Sequence, residues 1–165
     1  MIELRKLSIQ DGMDIFNMLV EIGPGENGFM NSAYGISSEE FPAFLKENDD
    51  HSNGINLPTG YVPQTIYWLY VDSKPVGIGK LRHFLNDALR KHGGHIGYCI
   101  RPTERGKGYG TVILRELLKK ARGISVDNAL LSCDEGNIAS RRVIEENGGV
   151  LEEINEGECR YWIKL

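Results

Sequence analysis

A chain of 165 residues that is 41% apolar and 25% charged has enough apolar side chains to bury the core of one soluble globular domain, expected to span 1–165. No stretch approaches the roughly 20 apolar residues of a membrane span, MIELRKL lacks a signal-peptide core, and a net charge of −4 argues against a nucleic-acid partner. Three cysteines, Cys99, Cys133 and Cys159, are an odd number and suggest no disulfide framework, so the expected location is cytoplasmic.

Ile2, Leu4 and Leu7 make a first strand, and Ser8-x-x-Asp11 offers an N-cap for a helix carrying Ile15, Met18, Leu19 and Ile22. Gly23-Pro24-Gly25 ends that helix. The stretch from Gly25 to Pro63 is the least regular, although Ser37-x-x-Glu40 is a capping box for a short helix with Phe41, Phe44 and Leu45. Residues 64–72 and 74–85 read as two strands about a turn at Asp72-Ser73-Lys74-Pro75. Asn86 caps a short helix, and Ile96–Ile100 is a further strand.

A basic, glycine-rich turn follows, RPTERGKGYGT from Arg101 to Thr111, and then an amphipathic helix with Val112, Leu114, Leu117, Leu118 and Ala121 near one face. The glycines therefore stand where a helix begins, with main-chain N–H groups that lack intrahelical acceptors and a dipole that favours negative charge. Arg105 and Lys107 add positive charge, and Gly106, Gly108 and Gly110 leave the backbone open to a bulky anion, so the turn suits phosphate oxygens. It is neither a Walker loop nor a dinucleotide fingerprint, because the glycine spacing is wrong for both. Asn128–Asp134 reads as a buried strand, Asn137-Ile-Ala-Ser140 opens another helix that ends at Asn147-Gly148-Gly149, and VLEEI with CRYWIKL forms a closing hairpin.

Arg105-x-x-Gly108-x-Gly110 after a strand, with Asn137-x-x-Ser140 after the next, resembles the GNAT N-acetyltransferase superfamily over essentially the whole chain. RHFLN, GGHIGYCIRP, ERGKGYGT and CDEGNIASRRVIEENGG together resemble one bacterial-type branch of it. The resemblance implies an α/β (α+β) fold, with a mixed, mostly antiparallel sheet of six or seven strands and helices on both faces. Its fourth strand would carry a bulge and splay from the fifth. It further implies acetyl-CoA as co-substrate, no metal, and transfer of the acetyl group to a primary amine of a small molecule or peptide by direct attack. A homodimer is common in the family, and the exposed last strand offers a pairing edge.

On that resemblance, the N–H groups of Arg105, Gly106, Lys107, Gly108, Tyr109, Gly110 and Thr111 hold the pyrophosphate of coenzyme A. The backbone of Tyr98, Cys99 and Ile100 bonds the pantetheine, with the Ile100 N–H polarising the thioester carbonyl. Asn137 and Ser140 either reach the cofactor or simply start a helix. His95 stands where relatives often place a carboxylate and is a candidate base, as is His83; the alternatives are a core histidine for the first and, for Arg82 with His83, a reader of a substrate carboxylate. The helical tyrosine that many relatives use as the acid corresponds here to Ile144, leaving Tyr98, Tyr109 or water to supply the proton. Cys133 reads as a buried core residue, His92-x-x-His95 falls short of a metal site, and Arg141-Arg142 reads as a solvated face or a 3′-phosphate grip. Outside the transferase reading stand a non-catalytic acyl-CoA-binding domain and a nucleotide-phosphate enzyme of another fold.

Overall fold

The computed structural model describes residues 1–165. Seven strands form two sheets, β1 (Ile2–Lys6), β2 (Gln64–Val71), β3 (Lys74–Arg82) and β4 (Ile96–Ile100) in one, and β5 (Asn128–Asp134), β7 (Glu158–Lys164) and β6 (Val150–Asn155), in that spatial order, in the other. All pairings between these strands are antiparallel. The helices are α1 (Met13–Ile22), α2 (Phe41–Ser52), α3 (Asp87–Lys91), α4 (Tyr109–Gly123) and α5 (Ile138–Glu146). One apolar core lies between the sheets and α4 and α5, built on Leu114, Leu117, Leu131 and Tyr161. A second lies on the opposite face, where Ile15, Leu19, Phe44 and Leu45 of α1 and α2 cover Trp68 and Ile78.

Local chemistry sets most of the boundaries. Asp72 and Ser73 both take positive φ, the two-residue geometry that matches strand twist and closes the β2–β3 hairpin. Asn86 Oδ1 accepts the Leu89 N–H at 2.9 Å and starts α3. Ser37 and Glu40 exchange the two bonds of a capping box just before α2 begins. Gly79 sits under α4 with no room for a side chain: a Cβ there would meet Leu117 Cδ1 at 2.7 Å.

Several expectations require correction. Ser8 does not cap α1, which begins after Gly12; its N–H is bonded by Asp11, whose Oδ2 also accepts the indole N–H of the fully buried Trp68 at 2.7 Å. Packing of that tryptophan sets the entry to α1, overriding a sequence that would cap earlier. On α4 the buried positions include Ile113, while Val112 is only half-buried. The last strand is no free edge, because β7 lies between β5 and β6; the exposed edge is β6, where every residue is exposed. The bulge implied for the fourth strand is absent too: β3 and β4 keep an unbroken register from Gly77↔Ile100 to Leu81↔Ile96.

The splay between β4 and β5 has another origin. Gly94 bridges Leu131 at the base of the two strands with φ +61°, and a Cβ there would stand 2.2 Å from the Leu130 carbonyl oxygen. Only glycine fits such a contact at positive φ. Gly94→Ala is therefore expected to cost about 2 kcal/mol or more of stability, read by urea unfolding. Gly123→Ala, at an open position at the end of α4, should stay within about 1 kcal/mol of wild type and on the stabilising side.

Candidate active site

The two sheets touch at one end only. The Arg82 N–H donates to the His95 carbonyl at 2.7 Å and the Arg101 N–H to that of Val76 at 2.9 Å. Antiparallel bonding alternates along a strand, so the main-chain groups of Ile96, Tyr98 and Ile100 turn away from β3 towards β5. By the same alternation with β7, seen in Glu135 N–H to Gly157 O and Leu165 N–H to Asp127 O, the backbone of Leu130, Ser132 and Asp134 faces β4. The strands are fastened at Leu130, whose carbonyl accepts the His95 N–H at 2.7 Å and whose N–H donates to His95 Nδ1 at 3.0 Å. Beyond that clasp they pair no further. Tyr98 and Ile100 face Ser132 and Asp134 across an open slot lined by main-chain donors and acceptors.

A cavity of about 290 Å³ occupies this slot and passes to both faces of the sheet. On the α4–α5 side it is lined by Tyr98, Cys133, Ser140 and Ile144; on the other, Phe29 and Met30 cover Lys80 and Arg82 of β3. The covering segment is pinned by the buried Asn31, whose side chain donates to the Leu19 and Gly23 carbonyls at 2.9 and 2.7 Å and accepts from Ala33 N–H at 3.0 Å. Asp134 and Glu158 complete the wall on the β5–β7 side, Glu158 being held by His92 at 3.0 Å.

The phenol of Tyr98 is the sharpest feature of the cavity. Its oxygen is buried and has no hydrogen-bond partner. Burial pushes its pKa up to about 12, against the opposing influence of the nearby Ser140 hydroxyl. A buried hydroxyl costs free energy unless something bonds it, and this one belongs to a residue of the cavity wall.

The turn after β4 is equally unsatisfied along its main chain. A short 3₁₀ turn at Pro102–Glu104 leads into α4, whose N-cap Gly108 stands at φ +83° and makes no side-chain cap. The N–H groups from Gly106 through Thr111 have no acceptor in the protein. A Cβ at Gly106 or Gly108 would point into open space, so the loop leaves its concave side bare. Its basic side chains are engaged: Arg105 pairs with Glu26 and donates to the Ile100 carbonyl at 3.0 Å, and Lys107 pairs with Glu104 at 2.7 Å. Bonds from Lys107 and Lys74 hold the Glu104 carboxyl down to about 2. The anion-binding capacity of the turn thus lies in its backbone.

The remaining candidates are scattered. Cys99 faces the α1–α2 core, with its thiol pKa raised by burial. The Thr111 hydroxyl is taken by Glu146 at 3.0 Å and Tyr109 is half-buried at the helix start. Asn137 caps α5 through the Ser140 N–H at 3.2 Å, while Ser140 itself reaches the cavity. Neither candidate base lines the cavity: His95 is buried in the clasp, and His83 Nε2 is bonded to Thr65 Oγ1 at 2.7 Å, beside Ser52. Arg141 is tied to the Tyr161 hydroxyl at 3.0 Å. No group of three or more His, Cys, Asp or Glu side chains is gathered to hold a metal ion. No helix is long and apolar enough to cross a membrane. Lys80, Phe29 and Met30 carried no signal in the sequence, because the first sits in an ordinary strand pattern and the others in an irregular loop.

A family model described as acetyltransferase (GNAT) domain matches residues 2–150. This chain belongs to the GNAT acetyltransferase family. Among solved structures, the GNAT fold here is similar to the ribosomal alpha-N-protein acetyltransferase RimL in complex with coenzyme A, at 18% identity and TM-score 0.72, covering 99% of this chain and 94% of that one. It is also similar to the N-acetyltransferase PseH of Campylobacter jejuni in complex with acetyl coenzyme A, at 13% identity and TM-score 0.68 over 99% of both chains. A GNAT-family acetyltransferase of Streptococcus pneumoniae aligns at 17% identity and TM-score 0.65, over 98% of this chain and 97% of that one. No match was found among curated protein sequences.

His95 has a measurable structural role in this GNAT domain. Replacing it with alanine leaves the Leu130 N–H without an acceptor and should cost about 1–3 kcal/mol. Burial first, and Arg82 second, lower its pKa below 6.5; burial and Lys6 do the same at His83. The unfolded chain then binds protons first, so stability should fall as pH drops through about 6.5. Urea midpoints between about pH 7.5 and about pH 5.5 should show that loss, and a smaller one in His95→Asn.

Proposed function

We propose that this domain transfers the acetyl group of acetyl-CoA to a primary amine of a small molecule or peptide by direct attack. The observation that carries the reading is the continuity between the bare N–H groups of Gly106–Thr111 and the open slot between β4 and β5. One end suits a pyrophosphate, and the other offers unpaired main-chain groups to an extended, amide-bearing arm. Coenzyme A has that order of parts, and bound acetyl-CoA supplies an activated thioester. The orphaned Tyr98 hydroxyl and the bare faces of Gly106 and Gly108 fit such a ligand.

In this reading the Ile100 N–H, directed into the slot, stabilises charge on the thioester oxygen. Tyr98 supplies the proton to the departing sulfur, replacing the helical tyrosine whose position Ile144 occupies. The amine must lose a proton to attack, and in this reading a carboxylate of the cavity wall, Asp134 or Glu158, takes it. His95 then acts as the clasp that sets the angle of the slot, and His83 as a strand-end anchor.

A second reading, acyl-CoA binding without turnover, draws support from Ile144 and from two histidines that stand outside the cavity. A thermal-shift titration tests the shared premise. Coenzyme A and acetyl-CoA should raise the melting temperature while ATP should not, and Gly108→Glu should abolish the response, with about 1–2 kcal/mol of intrinsic strain from its positive φ. Tyr98→Phe should keep the coenzyme A response and lower kcat about 100-fold. An unchanged kcat would remove Tyr98 from the mechanism, and binding with no turnover of any amine would favour the second reading.

A further inference from the structure

Lys80 and Arg82 are the cations of this protein that stand out against every other. They point from alternate positions of β3 to the same face and line the same cavity. Lys80 is only 9% exposed, yet its ammonium makes one hydrogen bond, to the Met30 carbonyl at 2.6 Å, and sits 4.6 Å from the centre of the Phe29 ring. Arg82 spends one guanidinium nitrogen on the Gly93 and Gly94 carbonyls, at 3.3 and 3.2 Å, and has no protein partner for the others. No carboxylate lies within ion-pair reach of either side chain.

Around the turn after β4 the cations are treated differently. Arg101 is met by Glu21, Lys74 and Lys107 share Glu104, and Arg105 is met by Glu26, although all four are more exposed than Lys80. A buried cation beside a half-buried one, both with only neutral partners, is costly, because each is desolvated and each repels the other. The strain shows at Lys80, whose pKa is drawn down to about 8 by burial and then by Arg82. Folding gains nothing from that arrangement, whereas an anion brought into the cavity would. A planar carboxylate is what a guanidinium fork with free donors, set beside an ammonium, is shaped to receive.

We propose that the acyl acceptor is an amine bearing a carboxylate, an amino-acid-like small molecule, whose carboxylate is bound by Lys80 and Arg82 while its amine faces the slot between β4 and β5. The assignment rests on the transferase reading above and names the substrate class of that same cavity. The walls agree with it. Cations lie on the β3 side and the carboxylates of Asp134 and Glu158 on the β5–β7 side, so a zwitterion is oriented with its amine towards the second pair. The acceptor would take the part of the cavity under the Phe29–Met30 cover, on the face away from α4 and α5. Gly97, paired with Lys80 across the sheet, adds no side chain between the ammonium and the slot.

The test compares sets of three acceptors with one skeleton: an α- or ω-amino acid, its amide, and the amine without the carboxylate. With wild-type protein the acids should show kcat/KM at least about 10-fold above both neutral analogues. Lys80→Met and Arg82→Gln should raise the acceptor KM for the acids about 10-fold or more, leave it little changed for neutral analogues, and leave stabilisation by coenzyme A intact. Lys80→Met should also raise the melting temperature of the unliganded protein, the opposite of what a purely structural lysine would do. Equal or better use of amides and simple amines, an unchanged acceptor KM in both variants, or no turnover of any acid would overturn the assignment while coenzyme A still stabilised the protein. Loss of that stabilisation in wild type would overturn the transferase reading itself.

Discussion

The clasp between His95 and Leu130 is the contact on which the functional architecture depends. Two hydrogen bonds at Leu130, one through the main chain and one through the imidazole, and the Gly93 N–H to Ser132 Oγ bond at 2.9 Å beside them fasten the start of β4 to β5 at one end. Gly94 makes the close approach possible by having no side chain where the Leu130 carbonyl passes. Strands joined at one end and diverging from it must leave main-chain groups unpaired, and unpaired groups inside a protein cost free energy unless a ligand supplies the missing partners. The slot between Tyr98–Ile100 and Ser132–Asp134 carries that cost, and on the function proposed above it is the binding surface. The two apolar cores then serve a positioning purpose: α4 and α5 hold one side of the slot, and α1, α2 and the Asn31-pinned loop hold the other.

Electrostatics divide the molecule along the same line. Around the glycine-rich turn, cations are matched with carboxylates, and the attraction for an anion comes from fixed N–H groups at the start of α4. Such donors cannot move away and need no reorganisation when charge arrives. Inside the cavity the pattern reverses, since Lys80 and Arg82 keep their charge without counter-ions. A site that tolerates this in its empty form trades stability for recognition, which is the usual relation between a binding cleft and the fold that carries it. The Tyr98 hydroxyl belongs to the same account, a polar atom placed where folding alone would prefer carbon.

Much of this was legible in the sequence. The strands at 96–100 and 128–134, the cap at Asn86, the hairpin turn at Asp72-Ser73 and the phosphate-type turn at 105–111 are local events, decided by periodicity and by a few residues with restricted backbone preferences. Where local signals met tertiary packing they lost. Ser8 and Asp11 close a turn ahead of α1 in which Asp11 also holds the buried Trp68, and the last strand yielded the sheet edge because β6 folds back outside it. The histidines misled for a related reason: an imidazole at a strand end reads alike whether it faces substrate or accepts a backbone bond, and only the partner distinguishes the two.

By itself the sequence determined the order of elements, the family, and a bare glycine-rich helix start, because each is written in short-range spacing. Only the tertiary structure decided that β4 and β5 meet at one clasp, that the Tyr98 hydroxyl is buried without a partner in the cavity wall, and that Lys80 stands beside Arg82 without a carboxylate. Those are facts about which groups are buried together and which are left unpaired. Pairing and burial involve residues far apart in the chain, from Phe29 to Glu158, so no window along it can contain them.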